Sequence, residues 1–459
     1  MIYSGIVTYE ESDIAFQFDE KKLSLFPSFE LFKKITMHKS ENGSWHMSEK
    51  KALADGYLEG KVNGQPIVIH FFFDPLGYGT TQKNIFECEI FIYVNKFIKY
   101  NNYPVFPLKD ISLIYKSQQL HRFLGFVPQY EISSDLSNGL CGKITCDTTN
   151  VDLVSSGIVD GTQISIKPSH SCRWGGTIFS FTPEILVNVS EIRDEKHLLK
   201  IYDTIQLLVK FAFMRRDINP DSFIIQINEI ENGEIFSNNK IISDDNVEDC
   251  NSIWRDSIPW DILYKHAIDI FSQIYNGNWY FENLPKTKKD RMYVDDAVIS
   301  KEAAAFEHEF SINYPEGLPI HSEKRIQAEK EVESELNPLL ENAHGKKREI
   351  YKGFVSHIRN DALADKIEFC LNEYEPCIRW LKSKLASNFS SEKIANICAD
   401  IRNDIDHGNN ILSIDDAVAN VYGMLKSLVY AMQLKRFGYE TDDINNAIRC
   451  LFYVRGIAP

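Results

Sequence analysis

Hydrophobic and polar positions follow two rhythms along this chain, and the change from one to the other divides it. Near the N-terminus Ile14, Phe16 and Phe18 alternate with Ala15 and Gln17, the period of two of a half-buried strand. Gly56–Val62, then Asn63-Gly64, then Gln65–Phe73 predicts a hairpin, because Asn-Gly supplies the positive φ angles of a tight turn. Ile85–Val94 reads as another strand. Residues 133–176, rich in Ser, Gly, Thr and Asp, read as loops with short strands, and Thr177–Phe181 resumes the alternation. These features predict a β-rich N-terminal domain over 1–188, a small sandwich or twisted antiparallel unit.

The rhythm then lengthens. Leu198, Ile201, Ile205, Leu208 and Ala212 recur at helical spacing, Ser222–Ile227 reads as a strand, and Trp260, Leu263, Ala267, Ile270, Phe271 and Ile274 predict one helix stopped near Asn276-Gly277. His266 lies beside that apolar face and reads as a packing histidine. With the basic run Lys286, Lys288, Lys289 and Arg291, read as a solvated linker, this makes a mixed α/β segment over 189–294.

From Asp295 the pattern is helical almost to the end. Phe306 and Phe310 share one helix with Glu307 between them. Ser322–Glu341 is a charged helix that Pro338 is expected to kink or end. Tyr351–Ile358 and Ile367–Ala386 follow. Glu392–Asp406 carries Ile394, Ile397, Cys398, Ile401 and Ile405 on one face, with Ser390 as N-cap. Ala417, Val421, Leu425, Leu428 and Met432 line a long helix ended by Gly438, and Asp442–Phe452 closes the series. The fold class predicted is α+β, with an all-α bundle of about five to seven helices over 295–459.

Composition narrows the function. The chain has 459 residues, too many for one ordinary core, and its 44% hydrophobic and 12% aromatic content suits packed domains. No apolar run approaches the ~18 to 20 residues of a membrane span, and the first residues lack the basic flank and apolar core of a signal peptide, so a cytoplasmic protein without membrane partners is expected. Nine cysteines without disulfide spacing read as reduced thiols, with Cys370, Cys377 and Cys398 in the core. Cys141, Cys146, His170 and Cys172 match no common zinc-ligand spacing, and no metal or other cofactor is expected. The net charge of −15 argues against general nucleic-acid coating. However, residues 346–459 hold 16 basic against 15 acidic side chains, so the deficit lies in 1–345 and the C-terminal region has room for a local RNA patch.

One segment carries recognisable chemistry. Ile401–Gly408 reads IRNDIDHG, placing Arg402, Asn403 and His407 at a helix end. An imidazole titrates near neutrality and moves protons, and a guanidinium holds phosphate at any physiological pH. The plain alternative is a surface ion pair between Arg402 and Asp406, with His407 as the last residue before a Gly408 cap. On an unbroken helix Arg402 and His407 stand about 140° apart. Either His407 leaves helical geometry at Gly408, or residues of a second subunit complete the site. Asn403 and Asp404 are placed to orient the histidine or contact ribose. A second Arg-Asn-Asp at Arg359, Asn360 and Asp361, preceded by His357, lacks a following histidine and reads as a helix end. Lys346, Lys347, Arg348, Lys382 and Lys384 are candidate phosphate contacts, with exposed helix charges as the plain alternative.

The spacing R-N-D-I-D-H through Arg402, Asn403 and His407 resembles the R-x4-6-H motif of the HEPN superfamily. IRNDIDHG followed by a long helix ending MQLKRFGYE is similar to the ApeA-like HEPN group in particular. The resemblance covers roughly 295–459, and the β-rich half is similar to ApeA proteins in organisation. It implies an antiphage endoribonuclease acting by abortive infection, with tRNA as the leading substrate and the N-terminal part as regulator or sensor of a phage component. Two HEPN domains would pair so that two Arg/His sets form one cleft, as a homodimer or a higher oligomer. His407 would move protons between the 2′-hydroxyl and the leaving 5′-oxygen, Arg402 would stabilise the pentacovalent phosphate, and Asn403, with Asp404, would support them. The rival implication is a noncatalytic HEPN module that dimerises and binds a partner.

Overall fold

In a computed structural model of the protein, the structure describes residues 2–9, 12–19, 21–39, 45–47, 57–61, 68–82, 87–102, 104–125, 127–135, 139–147, 149–175, 178–238, 256–319, 323–358, 361–408 and 416–452. The chain divides into two compact units. One comprises 1–212, 216–252 and 259–277; the other comprises 213–215, 253–258 and 278–459. The segment 189–294 is thus shared between them.

The first unit is built on β1 (Tyr3–Tyr9), β2 (Ser12–Phe18), β3 (Lys22–Phe26), α1 (Phe29–Thr36), β4 (Met37–Lys39), β5 (Trp45–Met47), β6 (Tyr57–Lys61), β7 (Val68–Gln82), β8 (Cys88–Tyr100), β9 (Leu108–Lys116), α2 (His121–Leu124), β10 (Val127–Asp135), β11 (Gly139–Asp147), β12 (Ser155–Val159), β13 (Thr162–Gly175), β14 (Ile178–Ile192), α3 (Glu195–Phe213), β15 (Ser222–Ile227), β16 (Ile230–Ser237), α4 (Trp260–Leu263) and α5 (Ala267–Tyr275). An antiparallel sheet runs β1-β2-β3-β8-β16-β15-β9-β14-β13-β12. β7 lies along the other edge of β8 and carries β6. Period-two alternation explains β2, where Ile14, Phe16 and Phe18 are buried, each contributing about 2 kcal/mol by leaving water. β6 and β7 pair as the two arms of the expected hairpin, but with Lys61 opposite Val68 rather than opposite Pro66, where a two-residue Asn63-Gly64 turn would set it; Asn63-Gly64 itself lies outside the described residues.

Three expectations change here. Of residues 133–176, the described ones lie largely in long strands rather than in loops with short ones: β10, β11 and β13 are long, and β13 pairs with β14 from Ile164↔Val189 to Gly175↔Ile178. Ser and Thr suit the solvent side of a ladder, so a polar composition disguised strands. The helix expected across Trp260–Ile274 is two, broken at His266, whose Nδ1 lies 3.2 Å from Asp269 Oδ2. His266 is therefore a partly exposed helix-end residue rather than a packing one.

The second unit is helical: α6 (Asp296–Asn313), α7 (Glu323–Glu341), α8 (Lys346–Ile358), α9 (Leu363–Glu373), α10 (Glu375–Leu385), α11 (Ser391–Asp406), α12 (Asp416–Arg436) and α13 (Thr441–Leu451). These eight exceed the expected number because Ile367–Ala386 splits at Tyr374, where Pro376 has no amide with which to continue α9. Pro338 does not end its helix, since α7 runs through it to Glu341. Every residue of α12 from Val421 to Leu434 is buried, Lys426, Ser427 and Gln433 included, as for a central helix, and α6, α9, α10, α11 and α13 pack against it. Cys370, Cys377 and Cys398 lie in this core, where burial raises their thiols above the usual range. The basic run 286–291 is not simply solvated. Arg291 donates to the carbonyls of Phe213, Asp256 (2.8 Å) and Leu451 (3.3 Å), and Lys288 pairs with Asp256. Among the described residues, no helix is long and apolar enough to cross a membrane.

Candidate active site

α11 begins as its sequence requires. Ser390 takes extended backbone angles and its Oγ accepts from the amide of Lys393, an N-cap that satisfies one of the donors left over in the first turn. The helix buries Ile394, Ala395, Cys398 and Ala399, and the Tyr422 hydroxyl on α12 donates to the Cys398 carbonyl at 3.1 Å. Toward the C-terminus burial weakens: Ile397, Ile401 and Ile405 are only half-buried. The Arg402–His407 segment therefore sits at the open end of an otherwise anchored helix.

The backbone there bears on the first of the two geometries expected. His407 keeps the helical bond, its amide donating to the Asn403 carbonyl at 3.0 Å, with φ −87° and ψ 1°. The break comes one residue later, at Gly408 with φ +70°, whose amide donates to the Ile405 carbonyl. His407 thus stays about 140° around the helix from Arg402, above Asp404, Asn403 and Asp400, its i−3, i−4 and i−7 neighbours. The motif is split across two sides of α11.

On the first side Arg402 faces carboxylates. Its Nη1 lies 3.0 Å from Asp406 Oδ2, and its Nη2 lies 3.9 Å from Glu307 Oε2 on α6. A long 3.5 Å hydrogen bond runs from Nη1 to Asn403 Oδ1. All these groups are at least a third exposed, so each pair contributes a fraction of a kcal/mol and exchanges readily for a phosphate. The Arg402–Asp406 pair is the one the plain reading anticipates. Glu307 is the residue that sequence reading did not connect to the site, because nothing in the spacing of α6 says which helix face it meets. On the second side Asn403, Asp404 and His407 are exposed.

The remaining basic candidates do not gather here within one chain. Lys382 on α10 donates to Ser391 Oγ at 3.1 Å, at the opposite end of α11, roughly 16 Å along the axis from Arg402. Lys384 is exposed on the last turn of α10. Lys346, Lys347 and Arg348 form the exposed first turn of α8, with Lys347 Nζ 5.8 Å from the Tyr351 ring centroid. Arg359 and Asn360 lie outside the described residues, and Asp361 accepts from the amide of Leu318 at 2.7 Å.

Of the zinc candidates, Cys141 and Cys146 are on β11 with side chains outside the described set, while His170 stacks on Phe181 and Cys172 is exposed, both on β13. The first unit also carries a hollow of about 590 Å³ over its sheet, walled by Asp110, Ser112, Gln163, Ser165, Asn188 and Ser190. Its only sequence signal is the outward Ser/Asn/Gln positions of β9, β13 and β14. Compared with known proteins, the chain matches no family model and no curated sequence.

Proposed function

We propose that this protein is a metal-independent endoribonuclease of HEPN type whose cleft forms between two copies of the chain. The observation that carries the reading is the split motif itself. An exposed imidazole and a guanidinium with exchangeable partners stand about 140° apart on one helix end beside half-buried Ile401 and Ile405. With the two groups on different sides of the helix, a two-fold copy can offer its His407 to the partner's phosphate-bound Arg402. In that arrangement His407 takes the 2′-hydroxyl proton as the 2′-oxygen attacks phosphorus. The P–O5′ bond breaks, and a protonated imidazole of the pair returns a proton to the 5′-oxygen, leaving a 2′,3′-cyclic phosphate and a 5′-hydroxyl. Arg402 stabilises the extra negative charge on the phosphoryl oxygens, and Asn403, whose Oδ1 accepts from Arg402 Nη1, supports it. The substrate proposed is tRNA, the setting antiphage defence by abortive infection, and the polar hollow on the first unit a place for a regulatory or phage-derived trigger.

One observation favours a second reading. Asp400, Asp404, Asp406 and Glu307 surround the motif and make it acidic, which suits a noncatalytic module that pairs and binds a basic partner. Purified protein incubated with total bacterial RNA in EDTA separates the two. Discrete cuts with cyclic-phosphate ends are expected, lowered at least about 100-fold in Arg402→Ala and His407→Ala with unchanged Tm. Mixing the two inactive variants restores up to a fraction of the activity if Arg402 and His407 come from different chains. RNA left intact by the wild type, alone and with phage-infected lysate, sinks the nuclease and leaves the pairing module.

A further inference from the structure

The α7–α8 hairpin leaves the helical unit between two pinned points. Leu318 donates its amide to the Asp361 carboxylate at 2.7 Å, joining the residues just before α7 and just after α8. Beyond that clasp α7 and α8 pack on each other. Among the described residues of the second unit, six large hydrophobic side chains are exposed, and five of them are on this hairpin: Ile326, Val332, Leu339, Ile350 and Phe354. Ile350 and Phe354 are 57% and 55% exposed, which makes them unlike ordinary partly covered edge residues.

Their placement is ordered. At ~100° per residue, Val332 and Leu339 lie ~20° apart on α7, and Ile350 and Phe354 ~40° apart on α8. Among the described residues the half-buried side chains are those of Glu329, Glu333, Leu336 and Leu340 on α7 and of Tyr351, Val355 and Ile358 on α8, which marks the inner face of each helix of the packed pair. Each exposed pair is rotated ~80 to 95° from its own inner face. Because the two helices run in opposite directions, these rotations carry both pairs to the same side of the hairpin. Counted from the tip, Leu339 and Ile350 stand ~3 and ~6 Å down, and Val332 and Phe354 ~14 and ~12 Å down. The stripe is therefore level across the two helices.

Charge selects the occupant. α7 carries six Glu against three basic residues, whereas α8 carries Lys346, Lys347, Arg348 and Lys352 against Glu349 alone. We infer that this face binds the same face of a second copy of the chain, about a two-fold axis running along the hairpin. That axis sets acidic α7 against the basic α8 of the other copy, twice, and brings Leu339 to Ile350 and Val332 to Phe354 at matching heights. An axis across the hairpin would oppose α7 to α7 and α8 to α8, like charges in both cases. The product is a four-helix bundle of modest area, near the lower end of stable interfaces, so micromolar association is expected. The inference does not depend on the ribonuclease reading, since no residue of the Arg402–His407 segment takes part.

Light scattering on the full chain over about 1 to 100 µM tests it. Ile350→Glu/Phe354→Glu changes residues already more than half exposed and leaves the helical circular dichroism unaltered, yet it should halve the wild-type mass. Lys346→Glu/Lys347→Glu, which turns the first turn of α8 acidic against an acidic α7, should weaken association about tenfold. A wild type monomeric at the highest concentration overturns the proposal and leaves the face to a different protein. A folded Ile350→Glu/Phe354→Glu variant of undiminished mass overturns it too. So does loss of RNA binding without change of mass in Lys346→Glu/Lys347→Glu, which would make the lysines an RNA contact.

Discussion

Glu302 on α6 is fully buried and faces Lys426 of α12 at 3.6 Å, with Asn283 Nδ2 donating to its other oxygen at 3.3 Å. Burial pushes its carboxyl up to about 7 despite the pull of Lys426. Glu309, two turns on, is raised in the same direction against Arg436 at 2.9 Å. A carboxyl raised on folding binds its proton more tightly in the folded state. Its contribution is fully present below the ordinary value near 4.5 and is lost as pH climbs through about 7. The wild type should therefore lose on the order of 5 °C of Tm between about pH 5 and pH 8. Glu302→Gln, which keeps the shape and has no proton to exchange, should lose much of that slope. Thermal scans of the two proteins across that range check it, and parallel slopes would show that Glu302 stays ionised throughout.

Glycine marks two of the helix boundaries. Gly317 has φ +84°, and a Cβ there would stand 2.8 Å from Asp361 Oδ2, the oxygen that clasps the hairpin base. Gly345, in the turn between α7 and α8, has φ +59° with open space around it. Alanine at 345 meets only the left-handed backbone penalty, about 1 kcal/mol. Alanine at 317 meets that penalty and also displaces a carboxylate, so Gly317→Ala should cost roughly 2 kcal/mol or more in urea unfolding. Equal losses at both sites would mean that the Asp361 clasp contributes nothing. The split of α9 from α10 is another helix boundary: a single missing amide at Pro376 turns one apolar run into two helices.

The two units do not follow the order of the chain. Residues 253–258 belong with the helical unit, where Ser257 and Ile258 are fully buried and Asp256 binds both Lys288 and Arg291. Arg291→Ala, which removes the side chain that ties the Phe213, Asp256 and Leu451 carbonyls, should therefore lower the Tm of the full chain by several degrees. Calorimetry on both proteins decides this, and an unchanged Tm would mean that Arg291 does not hold this segment in the folded unit. The charge division adds a consequence for partners. With the acidic excess in 1–345, the chain as a whole repels polyanions, so any RNA binding has to be local and steeply weakened by salt.

Periodicity alone established much of this protein. Ile14–Phe18 as a strand, 198–212 as a helix, Ser222–Ile227 as a strand, Ser390 as an N-cap and Gly438 as a stop all follow from side-chain spacing and local capping chemistry, which act within a few residues. The α+β class follows from the same signals. Polar strands such as β10, β11 and β13 escaped, because a ladder is stabilised by partners distant in sequence and leaves no hydrophobic signature on its wet face. The chemical composition of the Arg402–His407 segment was likewise plain in the letters. Only the fold decided that Arg402 meets Glu307, that Lys382 lies at the far end of α11, and that His407 stays on the helix until Gly408. Those facts depend on which helix faces pack together, a matter of long-range burial that no local pattern encodes.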